Sequence, residues 1–289
     1  MTMRKMVSSR PKEQLRDDVH VVEPTTGLRF VDPRELWRWR ELFVALMVRD
    51  TSVRYRQTAI GIVWVVIQPL ATVAIFSFLF GRIGTVPTGG LPYPLFAFAA
   101  MVPWQVFSRA MLVGSVSLAN NRSLVTKAYF PRILIPAAAV FNGVVDFAVT
   151  FVILLIMMMW FRFFPGWRIL LTPVLLLLTL LTSLGVTLWF SALNALYRDV
   201  QLVLPFLTQV WLFLTPVLYP ASVIPERWRA LYAMNPMVTV TELFRWAALG
   251  SAVVPEPSML VISVVIMFAM LLSGMAYFRY IERQMADRI

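Results

Sequence analysis

Cysteine is absent from all 289 residues, and histidine occurs once, as His20. Without cysteine there is no disulfide framework, no thiolate nucleophile and no Cys-ligated metal. A single histidine in a polar stretch leaves zinc sites and Ser-His-Asp chemistry almost without raw material. Charge is scarce as well: 14% of residues are Asp, Glu, Lys or Arg, against roughly a quarter in water-soluble domains. No G-x-x-x-x-G-K-[ST] occurs, and none of the 12 glycines is followed by lysine, so the chain is not by itself a P-loop ATPase. Neither a catalytic set nor a metal site is assigned, and no cofactor is expected in this chain.

Apolar residues fill the space. They make up 59% of the chain, and the mean hydropathy is +0.74. Crossing ~30 Å of hydrocarbon takes about 20 apolar residues, and six runs reach that length. The first is the 25 uncharged residues between Arg56 and Arg82. Tyr93 to about Leu118 is broken only by Arg109, and Ile133 to Phe161 only by Asp146. Ile169 to Tyr197 carries no charge, the fifth run follows Asp199 with Pro205, Pro216 and Pro220, and Pro257 to Phe278 is the sixth. The pattern predicts an all-α, polytopic membrane protein with six spans.

The net charge of +11 falls mostly on one side of these spans. With the N-terminus cytoplasmic, twelve Lys/Arg flank the inner ends, including Arg122, Lys127 and Arg198, and six lie in outer connections. Both termini are therefore expected in the cytoplasm. Arg54, Tyr55 and Arg56 then read as the membrane anchor of the first span, and no nucleic-acid partner is expected. Residues 1–32 are polar, mixed in charge and lack an apolar h-region, which predicts a disordered tail and no cleavable signal. In "PRELWRWRELFVALMV", Leu36, Trp39, Phe43, Leu46 and Met47 recur at helical spacing, which assigns 33–55 to an interfacial amphipathic helix and linker. The six-span domain occupies 56–280 and a cytoplasmic tail 281–289.

Arg109 and Asp146 are the formal charges inside the spans, lying about 14 Å and about 20 Å from the inner ends at ~1.5 Å per residue. Intramembrane ionisable residues are costly and suggest function. Two readings stand: an ion pair that holds the bundle, or a lining of a polar pathway. The outer connection from Pro220 to Glu256 is too apolar for a free loop, with Trp228, Tyr232, Phe244 and Trp246 between prolines. Irregular backbone at membrane depth needs protein or a lined cavity around it. Two short helices dipping into the outer leaflet, turning at Asn235-Pro236, would meet that need.

Several of these stretches carry a family resemblance. "RDTSVRYRQTAIGIVWVVIQP", "YPLFAFAAMVPWQVFSRAM", "NNRSLVTKAYFPRILIP", "LNALYRDVQLVLPFLTQVWLFLTPVLYP" and "VIPERWRALYAMNPMVTVTELFRWAALG" together resemble, in family order, the permeases of ABC type-2 exporters. The similarity is to those that export O-antigen, capsule and teichoic-acid polysaccharides, and it covers about residues 45 to 285. It implies a bacterial inner-membrane homodimer working with two copies of a separate ATPase, which binds ATP and Mg, on a lipid-linked polysaccharide. It also implies outer gate helices carrying Trp228, Tyr232, Asn235 and Pro236. The connection Asn120 to Pro131 becomes a candidate coupling element. Arg122 and Lys127 supply its charge and Tyr129-Phe130 an aromatic knob for the ATPase, against the plainer reading of a positive-inside loop. Arg198 and Asp199 are expected to satisfy helix ends at the inner turn, with an ATPase contact the lesser role.

Rival readings are an ABC-2 exporter of a drug or lipid, a channel or scaffold, and a transferase acting on polyprenyl-phosphate substrates. The last would need several carboxylates or a histidine near the interface, and the spans offer only Asp146.

Overall fold

The structure is a computed structural model that describes residues 37–56, 61–82, 86–127, 130–250 and 257–286. Every regular element among them is helical. In chain order these are α1 Arg40–Arg56, α2 Gly61–Arg82, α3 Tyr93–Arg109, α4 Ser117–Asn120, α5 Arg122–Lys127 and α6 Leu134–Phe141. They continue with α7 Gly143–Trp160, α8 Thr172–Leu196, α9 Val200–Phe213, α10 Glu226–Ala233, α11 Pro236–Leu249 and α12 Pro257–Ala286. Prolines set several starts, since a first-turn proline gives up an N–H that has no partner anyway. Pro94 does this in α3, Pro173 in α8, and Pro236 and Pro257 open their helices.

Among the described residues, four helical stretches are long and apolar enough to cross a membrane: Tyr93–Gly114, Leu134–Trp160, Trp167–Leu196 and Pro257–Gln284. Two shorter apolar helices, Val66–Phe80 and Val200–Phe213, accompany them. The fifth expected run thus yields a helix of 14 residues, and the chain turns at Leu214 into a folded segment. The third run bends at Asn142, where α6 passes into α7.

The second run holds a feature that no hydropathy profile shows. Directly after Arg109 the helix widens into a π turn, Ala110–Gly114. A π turn displaces backbone carbonyls from their regular partners. Here the Thr187 hydroxyl of α8 donates to the Ala110 oxygen (3.1 Å), and Ser117 donates to the Gly114 oxygen (2.6 Å).

α3 lies at the centre, packed on α2, α7, α8 and α11, and Leu95, Phe98, Val102 and Val106 on it are fully buried. α12 runs along α8, where Gly185 and Gly274 face each other. A Cβ on Gly274 would fall 2.6 Å from the Gly185 oxygen. Small residues are what allow two helix backbones to approach this closely.

The amphipathic stripe of α1 turns to the protein. Leu46 is buried, and Trp39, Leu42, Phe43 and Met47 pack on the same cluster as Leu118, Ile133 and Leu134. Trp37, Val44 and Val48 stay exposed on its other side. The helix runs on to Arg56. Leu36 and the tail 1–32 lie outside the described residues, as do 287–289 of the C-terminal segment.

Candidate functional site

Two charged pairs sit within the apolar bundle, one near each end of α3. At the end of α3, Arg109 Nε lies 3.1 Å from Asp146 Oδ2 on α7. The ion pair anticipated from the two lone charges is formed. The Asp146 side chain is 3% exposed while that of Arg109 is 36% exposed. Arg109 faces a cavity of about 510 Å³ between α1, the π turn and the α6–α7 bend. A second pair, Arg49 Nη2 to Asp50 Oδ1 at 2.7 Å, borders the same space. Arg49 also donates to Asn121 Oδ1 (2.7 Å), and Thr51 Oγ1 donates to Asn142 Oδ1 (3.1 Å). These bonds fasten α1 over the cavity.

The other pair was not anticipated. Arg245, on α11, is fully buried, and its Nη1 bonds Glu242 Oε1 at 2.8 Å. Its fork is consumed by backbone: Nε donates to the Phe96 oxygen (3.2 Å), Nη2 to Val217 (2.6 Å) and Nη1 to Tyr219 (3.4 Å). The guanidinium carbon also sits 3.8 Å from the Phe96 ring centroid, a favourable cation–π arrangement. Glu242 Oε1 in turn accepts the Ala221 N–H (3.1 Å). A buried charge must be paired and hydrogen-bonded to persist, and here the requirement draws α3, α11 and the segment after α9 together. The signal was present in "TELFRW", a Glu–Arg pair at i,i+3 within an apolar stretch, where it reads as an outer-loop charge.

Asn235 completes that end. Its Oδ1 caps α11 at the Met237 N–H (3.1 Å) and accepts Trp211 Nε1 (3.1 Å). Its Nδ2 donates to the Leu214 oxygen (3.2 Å) and Thr215 Oγ1 (3.0 Å). Pro236 follows, buried, as the first residue of α11. Tyr232 meets the Tyr219 hydroxyl at 2.9 Å, and Tyr93 donates to the Leu218 oxygen at 2.9 Å. Trp228 is half-exposed beside Arg227. Two helices, α10 and α11, occupy the segment between Pro220 and Glu256 and meet at Asn235.

A family profile described as ABC-2 type transporter matches residues 41–249, well over half of the chain. The chain belongs to the ABC-2 type transporter family. Among its relatives is the O-antigen export system permease protein RfbA of Myxococcus xanthus, 33% identical over 210 residues, covering 72% of this chain and 80% of that protein. An O-antigen export system permease protein RfbA of Klebsiella pneumoniae is 24% identical over 251 residues, 86% and 94% of the two chains. The polysialic acid transport protein KpsM of Escherichia coli is 26% identical over 207 residues, 71% and 80%.

In this ABC-2 chain the residues expected to couple it to an ATPase lie in different environments. Phe130 is 6% exposed, packed among Leu46, Leu118, Ile133 and Leu134 with its ring 6.4 Å from that of Trp39. It is part of the chain's own core. Basic neighbours gave it the look of a surface residue, but α1 covers it. Tyr129 lies outside the described residues. Arg122 and Lys127 are exposed on α5. Arg198 and Asp199 are exposed as well, and the Asp199 side chain makes no cap to α9, contrary to the expectation that it satisfies a helix end. Arg54, Tyr55 and Arg56 form the last turn of α1, and their side chains fall outside the described residues.

Proposed function

We infer that the chain is the transmembrane subunit of an ATP-driven exporter that carries a lipid-linked polysaccharide across the bacterial cytoplasmic membrane. The observation that carries this is similarity over most of the chain to permeases named for O-antigen export and polysialic acid transport. In this reading α2 and α9 complete six spans with the four long helices, and both termini face the cytoplasm. Two copies enclose the conduit, and two copies of a separate ATPase bind ATP and Mg for the work. The exposed basic residues Arg122, Lys127 and Arg198 lie on the ATPase side. At the other side α10 and α11, joined at Asn235-Pro236 and held by Glu242 and Arg245, form the outer gate, with Trp228 and Tyr232 on it.

The test is complementation. In the source bacterium with this gene deleted, surface polysaccharide should disappear while lipid-linked polymer accumulates inside, and the plasmid-borne gene should restore it. Unchanged surface polymer with altered drug or phospholipid export would instead support a different cargo. Reporter fusions test the topology: those after Gly89 and Arg229 should read outside, and those after Lys127 and Arg283 inside. A fusion read on the wrong side removes the six-span arrangement.

A further inference from the structure

We propose that the cavity beside Arg109 is a binding subsite for a neutral sugar unit of the exported molecule. The assignment rests on the polysaccharide reading above and goes beyond it by naming where a sugar is held. At about 510 Å³ the cavity falls in the roughly 300–1,000 Å³ range of small-molecule sites.

Its chemistry decides the class of guest. Among the described side chains, the charges that line it are two cations and two anions, joined at 2.7 Å and 3.1 Å. An anionic guest such as a pyrophosphate would meet the carboxylates of Asp50 and Asp146 beside the two guanidiniums, so these paired charges offer it no net attraction. A zwitterionic headgroup gains no more. A hydroxyl needs no net charge, because it bonds to a paired carboxylate or guanidinium without displacing the partner. The uncharged polar residues point the same way: Asn120, Asn121 and Asn142 all border the cavity. Asn121 spends Oδ1 on Arg49 and Nδ2 on the Ser117 oxygen, and Asn142 Oδ1 accepts from Thr51, so the Asn120 carboxamide and Asn142 Nδ2 are the groups that meet neighbouring sugar hydroxyls.

Among the described side chains, none that lines the cavity is aromatic. Stacking on rings tolerates sliding, whereas converging hydrogen bonds reject a guest that lacks the matching groups. The cavity is therefore suited to holding one sugar in place, not to passing a repeating chain. α1 borders it on one side, tied there by Arg49 and Thr51.

The full chain in lipid nanodiscs tests this, with oligosaccharides released from the bacterium's own surface polysaccharide as the probe. Saturation-transfer NMR should show sugar protons contacting the wild-type protein. Val113, whose exposed side chain borders the cavity, provides the blocking variant: V113W should weaken oligosaccharide binding at least tenfold. Should V113W fail to fold, N142L removes polar groups while keeping both ion pairs, and the same loss is expected. Inorganic pyrophosphate and phosphoethanolamine should not compete. Wild-type binding in a folded blocking variant, absence of binding to the wild type, or competition by either phosphate compound would each overturn the sugar subsite. Those outcomes leave the polysaccharide reading intact as long as complementation restores surface polymer, and only failure there removes the reading itself.

Discussion

Two guanidinium–carboxylate pairs sit in the same apolar bundle, and they are built in opposite ways. Around Arg245 every element is closed: the side chain is buried, and its partners are one carboxylate, three backbone carbonyls and an aromatic face. Around Arg109 the carboxylate is buried but the arginine keeps a third of its surface on a polar cavity. The difference teaches that ion chemistry alone does not tell a fastener from a site. What tells them apart is whether the fork is used up by the protein's own backbone.

The largest effect is expected at the closed pair. Arg245→Met leaves Glu242 buried without its cation and three carbonyls without their donor. Breaking a buried pair costs ~3–5 kcal/mol in general, so folded yield after detergent extraction should collapse. Normal yield and an unchanged Tm would show that the pair does not fasten the outer end.

Phe130→Ala comes next. Truncating a buried phenylalanine costs about 3 kcal/mol or more, and here it also undermines the seat of α1 over the cavity. Phe130→Leu should recover most of the loss in thermal unfolding. If both variants unfold like the wild type, the packing of Phe130 under Trp39 is wrong.

At the half-open pair the two single variants should differ, which sharpens the comparison. Arg109→Ala removes the cation beside a carboxylate that is 3% exposed and should cost on the order of 2 kcal/mol. Asp146→Asn leaves an arginine that already reaches the cavity, and should cost less than about 1 kcal/mol. Export should fall in both. Equal destabilisation by the two would mean that Arg109 is as enclosed as Arg245.

The smallest change in stability is expected for Lys127→Ala combined with Arg198→Ala. Exposed substitutions usually stay within about ±0.5 kcal/mol, while recovery of the co-expressed ATPase with the permease should drop. Full ATPase recovery would place the coupling contacts elsewhere.

Much of this arrangement was legible in the residues. The apolar runs announced the long helices, prolines marked their starts, and two isolated charges in separate runs pointed to a pair that forms. The short helices α10 and α11 followed from an apolar segment between prolines. Other features depend on contacts far along the chain. The π turn after Arg109 relies on Thr187, 77 residues away. Burial of Phe130 relies on a helix whose own pattern suggested a lipid surface. Arg245 was hidden because an arginine in a short connection looks solvated until the carbonyls around it are placed. Asp199 misled in the opposite sense: its residue type suits a helix cap, yet its side chain makes none.

The segment after α9 offers its main-chain oxygens inward while some of its side chains point out. Asn235 takes the oxygen of Leu214 and Tyr219 takes that of Phe213, yet both of these side chains are more than half exposed. Such a fastening is blind to residue type, because every amino acid brings the same carbonyl. Substitutions at positions 213 and 214 therefore leave these two hydrogen bonds in place, because the frame grips the main chain there.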